Sequence, residues 1–271
     1  MAPAPAYVFT RDFIDNNRIN LQHYLWVELF GYYTHPDIPI QQEYMRIADV
    51  GTGTGIWLTD LAKRLPSTTH LDGLDVSFEA MPPLEWLPPN VTLRNWDIYK
   101  EPAQELHGFY DVINIRNFSF VLKDEDIPDV LARLSKLLKP GGYLQWSEPD
   151  VSSFRIEKTH SENDTTALTQ LLRMSQAQDK RLSPTWVPKL VGLFEDQGLQ
   201  QVQSDVRDAP LHLAVAMHEC SLLIHELVVR KTKDADVAKG LKTLIPKAAQ
   251  ETRDGSCWAF TRWNVVGKKP I

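Results

Sequence analysis

The chain has 271 residues, of which 43% are apolar and 24% charged, and its formal charge is −6; this is the balance of an ordinary soluble globular protein with ample material for a core. No stretch approaches the roughly eighteen apolar residues that a membrane span requires. Lysines and arginines are scattered, apart from Arg230-Lys231-Thr232-Lys233 and Lys268-Lys269, so the clustered basic surface of a nucleic-acid-binding protein is not expected. The expected partner is a small molecule or a protein, and the oligomeric state is not legible.

The first seven residues carry Pro3 and Pro5 and lack the basic and long apolar regions of a secretory signal, which makes a cytoplasmic location the expectation. Cys220 and Cys257 stand far apart with no second thiol near either. They predict neither a disulfide framework nor a zinc site, and read as buried small hydrophobes.

Residues 17–30 place Leu21, Leu25 and Leu29, with Tyr24 and Val27, at helical intervals, predicting a helix outside the sheet. A linker with Pro36 and Pro39 leads to a strand at 45–50, a helix at 56–65 and a second strand at 71–75. Residues 81–90 hold Pro82, Pro83, Pro88 and Pro89, so this crossover should be irregular. Strands at 91–95 and 110–115 follow, then a helix at 124–138 whose acidic start, Asp124-Glu125-Asp126, suits the helix dipole. A turn at Lys139-Pro140-Gly141-Gly142 enters a strand at 143–146. The alternation predicts a parallel sheet covered on both faces. Beyond it, 161–180, 185–197 and 211–230 read as helices, with strands at 201–206 and 256–266. No repeat or low-complexity tract is visible.

Asp49-Val-Gly51-Thr52-Gly53-Thr54-Gly55 links the first strand to its helix, and Asp75 ends the next strand. Glycines at alternate positions let the backbone turn sharply and approach a ligand, while a carboxylate at 75 is in reach of both ribose hydroxyls of a nucleoside lying over the loop. The dinucleotide fingerprint needs a third glycine at 56, where Ile56 stands. A nicotinamide-dependent oxidoreductase is therefore the weaker reading.

With Asp49 two positions before Gly51, the loop resembles motif I of the class I S-adenosylmethionine-dependent methyltransferases. Arg18-Ile-Asn-Leu-Gln22-His23, Trp86-Leu-Pro-Pro-Asn90, the Lys139 to Gly142 turn with Glu148, and Val266-Gly-Lys-Lys-Pro270 further resemble fungal secondary-metabolism methyltransferases. The resemblance implies an α/β, Rossmann-like seven-stranded mixed sheet closed by an antiparallel hairpin. It implies an N-terminal helical segment covering the active site (1–44), a cofactor-binding core (45–150), and a remainder of the sheet (151–271) with helical acceptor-binding insertions. The implied activity is methyl transfer from S-adenosyl-L-methionine to an O, N or S atom of a small, largely apolar metabolite. The alternative is a same-fold protein that binds the cofactor but catalyses another reaction or acts as a regulator.

Roles follow from the resemblance. Gly51, Gly53 and Gly55 line the methionine portion of the cofactor, with Thr52 and Thr54 contributing polar contacts. Asp49 orients the loop or the ammonium group, and Asp75 with Val76 meets the ribose. Asp97 faces the adenine amino group, or else caps a turn, while Trp96 or Ile98 lies on the ring. Arg116 and Asn117 stand where the sheet edge faces the sulfonium, Arg116 assigned to the cofactor and Asn117 to the reacting centre, with a plain loop role as the other option. His23 is either a general base or a hydrogen-bonded structural histidine. Trp26, Phe30 and Tyr33, with Tyr32 beside them, cap a flat acceptor or simply pack. Glu148 holds a substrate amine or serves its loop, and His218 faces the acceptor pocket or the core. His218 and His225, seven residues apart on one helix, are about 10 Å apart and share no metal; no metal is expected.

Overall fold

In the computed structural model, residues 11–176, 181 and 183–271 are described; the first seven residues and the end of the helix predicted at 161–180 lie outside that set. Strands β1 (Arg46–Val50), β2 (His70–Asp75), β3 (Val91–Asn95), β4 (Tyr110–Arg116), β5 (Leu138–Lys158), β6 (Gln200–Arg207) and β7 (Ser256–Lys268) form one sheet. Their order is β3-β2-β1-β4-β5-β7-β6. The first five are parallel, while β7 runs antiparallel to both β5 and β6. This is the expected seven-stranded mixed α/β sheet.

Alternate residues of the central strands enter opposite layers. Ala48 and Ile113 join the core beneath helix α3 (Ile127–Leu137), whereas Ile47 and Val112 join Trp57, Leu58 and Leu61 of helix α2 (Ile56–Ala62). The period of two along each strand produces this division. The proline-rich crossover contains only a single 3₁₀ turn, Leu84–Trp86.

Three differences from the sequence-based expectation have physical causes. β5 is far longer than residues 143–146, because the glycine turn is absorbed into a strand: the Gly141 N–H donates to the Lys269 carbonyl, and β7 partners β5 as far as Lys158. The helix predicted at 185–197 divides at Pro188 into a 3₁₀ turn, Val187–Lys189, and helix α5 (Leu190–Asp196). Helix α7 (Ala235–Arg253) has no predicted counterpart, since Pro246 lies inside it and its sequence is rich in charge. Tertiary contacts sustain it: the Glu251 carboxylate accepts from the Ala167 and Leu168 N–H groups at the start of helix α4 (Thr166–Gln176).

Helix α6 (Leu211–Lys231) is long and apolar enough to cross a bilayer by length and composition. In the fold it packs on α7 and β7, and through Leu213 and Met217 on Trp26, Leu29 and Phe30 of helix α1 (Phe13–Phe30).

The interior stripe of α1 is not the one its leucines suggest. Leu21 and Tyr24 are exposed, and the buried positions are Asp15, Arg18, His23, Trp26, Leu29 and Phe30. The stripe is polar in its first half and apolar in its second, because the first half faces a cavity and the second faces α6. Asp12 caps the start by accepting from the Ile14 and Asp15 N–H groups, and Gly31, with φ of 73°, ends the helix.

Candidate active site

A cavity of about 240 Å³ opens at the C-terminal ends of β1 to β4, under α1. This is where the strand order reverses between β1 and β4, the position at which open α/β sheets leave a crevice. The glycine loop forms its floor. Gly51 has φ of +67°, and a Cβ there would lie 2.5 Å from the Phe118 ring; Gly53 has φ of +55° and meets nothing closer than 3.9 Å. Gly51 is thus fixed by packing, and Gly53 leaves the backbone bare toward the cavity. Gly51→Ala is expected to cost about 1–3 kcal/mol through overpacking and a left-handed backbone, read as a lower denaturant midpoint at unchanged slope.

Asp75 lies beside the loop. Its Oδ2 accepts from the Gly53 N–H at 3.0 Å and its Oδ1 from the Ser77 N–H at 3.2 Å. A carboxylate has about four acceptor sites, so two bonds fix its orientation and leave capacity for a ligand. Burial raises its pKa, against the backbone N–H groups that lower it. Val76 and Ser77 continue the wall.

Past β3, Trp96, Asp97 and Ile98 form the far side. The Asp97 Oδ1 accepts from the Tyr99 N–H at 3.0 Å, and its Oδ2 lies 3.5 Å from the Lys100 ammonium. Asp97 therefore caps its turn, one of the two alternatives expected of it, and also lines the cavity.

At the centre, Asp49 accepts from Asn114 Nδ2 at 2.8 Å. Burial lifts its carboxyl to about 6, while Asn114 and the Arg116 charge hold it down. Arg116, Asn117 and Phe118 close this side. Asn117 has φ of 62°, and its N–H donates to the Ser147 carbonyl.

The roof is the polar half of α1. Asp15, Arg18, Ile19 and Gln22 line the cavity, a spacing that puts them on one helix face. The Arg18 guanidinium donates to Asp15 at 2.7 and 2.9 Å and to Gln22 at 3.0 Å, and Gln22 donates to Asn117 at 3.3 Å. The Thr54 hydroxyl donates to Asn20 at 2.7 Å, linking roof to floor. Sequence reasoning assigned site roles to none of Asp15, Arg18, Ile19, Gln22 or Phe118. The available signal was the i, i+3, i+4, i+7 spacing of the first four.

The structure brings together, on one cavity, Asp49, Gly51, Thr52, Gly53, Asp75, Val76, Trp96, Asp97, Ile98, Arg116 and Asn117. It does not bring the remaining candidates to that wall. Gly55 faces the Met81 thioether instead. His23 is wholly enclosed: its Nδ1 accepts from Arg116 at 3.0 Å and its Nε2 faces Asp60 at 3.1 Å, leaving neither nitrogen free to take a proton. Burial, then the Arg116 charge, lowers its pKa to about 4.

Trp26 and Phe30 stack on each other at 5.1 Å within the α1–α6 core. Tyr33 lies under the Arg64 guanidinium and accepts from it through its hydroxyl. Glu148 is fully buried and accepts from the Phe118 and Ser119 N–H groups, the Ser119 hydroxyl and the Trp146 indole. Burial pushes its carboxyl up to about 7 against those four donors. His218 is held by Thr252 and the Trp258 N–H and sits edge-on to the Trp258 ring.

Among curated relatives, the chain is 33% identical over 152 residues to the N-methyltransferase tcpN of Claviceps purpurea, covering 54% of this chain and 53% of that one. It is 28% identical over 206 residues to the N-methyltransferase gliN of Aspergillus fumigatus, covering 76% and 72%. It is 26% identical over 196 residues to the secondary metabolism regulator laeA of Coprinopsis cinerea, covering 70% and 43%. The chain spans about half the length of several of the curated relatives it matches. Among solved structures, a putative sarcosine dimethylglycine methyltransferase from Galdieria sulphuraria superposes with a TM-score of 0.52 at 15% identity, over 98% of this chain and 94% of that one. A phosphoethanolamine N-methyltransferase from Haemonchus contortus, in complex with S-adenosylhomocysteine, gives 0.50 at 17% identity, over 98% and 61%; these likenesses show the fold. The methyltransferase-domain family matches residues 28–204, most of the sheet and its glycine loop, and the chain belongs to that family.

Proposed function

We propose that the chain binds S-adenosyl-L-methionine in this cavity and transfers its methyl group to a small metabolite, with a nitrogen acceptor favoured by the N-methyltransferase relatives. The observation that carries the reading is Asp75, anchored at 3.0 Å to the bare backbone of Gly53 at the ends of neighbouring parallel strands. The donor supplies an electrophilic methyl group, so the protein's tasks are alignment and the exclusion of water. Asp75 would hold the ribose hydroxyls, Asp97 the adenine edge, and Trp96 and Ile98 its ring. Asp49 would meet the ammonium of the amino-acid tail. The α1 roof, tied to the loop through Asn20 and to β4 through Gln22, keeps water from the reacting centre. No histidine among the described residues lines the cavity, and an amine acceptor in its neutral form requires no positioned base.

Titration calorimetry with S-adenosylhomocysteine against NAD tests the cofactor, and preferential NAD binding would overturn the reading. Transfer of labelled methyl from the cofactor to a fungal metabolite extract tests the reaction. The laeA relative favours a second reading, cofactor binding in a regulator; tight binding without a labelled small-molecule product would select it.

The Asp49 assignment has a pH signature. Its folded pKa, about 6, exceeds the ordinary 3.8, so in the ligand-free protein its protonation contributes stability that is complete below 3.8 and lost as pH rises through 6. A ligand ammonium requires the ionised form. Affinity for S-adenosylhomocysteine is therefore expected to be level above pH 7 and to fall by up to about tenfold per pH unit below 6. An affinity constant from pH 5 to 8 would remove Asp49 from the contact.

A further inference from the structure

Arg116 is the last residue of β4, and the register Val50↔Ile115 places it beside Gly51, one step beyond β1. It lies deep in the protein, yet it retains accessible surface and lines the cavity. Its hydrogen-bonding partner is His23, whose Nδ1 accepts from Nη2 at 3.0 Å. The Asp60 carboxylate, 3.1 Å from Nε2, assigns the ring proton to that nitrogen and leaves the imidazole neutral. His23 therefore orients the guanidinium without neutralising it.

No carboxylate of the described residues forms an ion pair with Arg116. Asp49 and Glu148 are near enough to exert an attractive field on it. Both have other engagements: Glu148 takes four donors, and Asp49 accepts from Asn114. A guanidinium has five N–H donors, and among the described residues only His23 accepts from that of Arg116. Burial lowers its pKa to about 10. Its remaining donors face the cavity, where a ligand carboxylate has the two oxygens to meet them.

We infer that Arg116 is the seat of a ligand carboxylate, gripped by the fork of its guanidinium and aimed by His23, a positioning residue. Planar two-pronged pairing makes arginine suited to this. The inference rests on the cofactor reading above. Two ligands can bring a carboxylate to this point: the cofactor, through its amino-acid tail, whose ammonium would meet Asp49, and the methyl acceptor.

The test compares wild type with Arg116→Gln, which removes the charge, and Arg116→Lys, which keeps it. Each is titrated with S-adenosylhomocysteine and with 5′-methylthioadenosine, which lacks the amino-acid tail. A cofactor-borne carboxylate predicts that Arg116→Gln weakens S-adenosylhomocysteine by about tenfold or more while 5′-methylthioadenosine is unchanged, with Arg116→Lys intermediate. An acceptor-borne carboxylate predicts no change in either ligand. It predicts instead that benzoate, but not benzamide, binds the S-adenosylhomocysteine complex of wild type and not that of Arg116→Gln. Equal weakening of both nucleosides, or no effect in either arm, would overturn the inference. Wild-type protein that bound neither nucleoside would instead overturn the cofactor reading, and the cofactor-borne carboxylate with it.

Discussion

Asp75→Asn is expected to weaken S-adenosylhomocysteine by roughly a hundredfold or more. Both carboxylate oxygens already receive backbone N–H groups, from Gly53 and Ser77. An amide offers one oxygen and one NH₂, so one of those N–H groups would face another donor, and the end of β2 would shift relative to the loop. The ribose would also lose a charged acceptor for its two hydroxyls, each such hydrogen bond contributing about 1.5–3 kcal/mol. Together these exceed the roughly 2.7 kcal/mol that a hundredfold change requires. Calorimetry with purified variant and wild type measures the effect, and affinities within threefold of each other would remove Asp75 from the ligand contact.

The second large effect is at a residue that does not line the cavity. Glu148 collects four donors, three of them from Phe118 and Ser119, and thereby holds the segment whose Asn117 and Phe118 form one cavity wall. In Glu148→Gln the new NH₂ confronts a buried N–H. The Ser119 hydroxyl can rotate to accept, but a backbone N–H cannot. The expected cost is about 2–4 kcal/mol, seen as a melting temperature lower by roughly 5–10 °C. Affinity for S-adenosylhomocysteine should fall with it, because the Phe118 ring braces Gly51. A variant with wild-type melting would show that the segment is held by other contacts. This assigns Glu148 to its loop rather than to a substrate amine.

The parallel half of the sheet was legible because its strands are short segments bounded by turn signals, and β3 occupies the residues predicted for it. The loop and its two carboxylates were legible because glycine and an acidic residue at fixed spacing leave few alternatives. That the N-terminal helix covers the site was implied by the resemblance; its polar lining was hidden. Its leucines at 21, 25 and 29 suggested a packing face, of which only Leu29 is buried, while the interior side also holds Asp15, Arg18 and His23; periodicity of hydrophobicity cannot register a buried face made of charges. His23 was placed near the right elements, but the charge next to it decided its chemistry: a nitrogen facing an arginine donor is an acceptor already in use. The aromatic group at 26 and 30 belonged to a core with α6, a contact between residues some 190 positions apart that no local pattern announces.

Because α1 supplies part of the chamber's lining while its other half packs on α6, a ligand bound there would couple to the docking of this helix. Whatever fills the chamber adds adhesion between two stretches of chain that otherwise meet through a few polar links and an aromatic plug. Peeling the helix away would empty the chamber, and filling the chamber resists the peeling. The segment ahead of the sheet would thus be held more firmly in a filled chamber than in an open one.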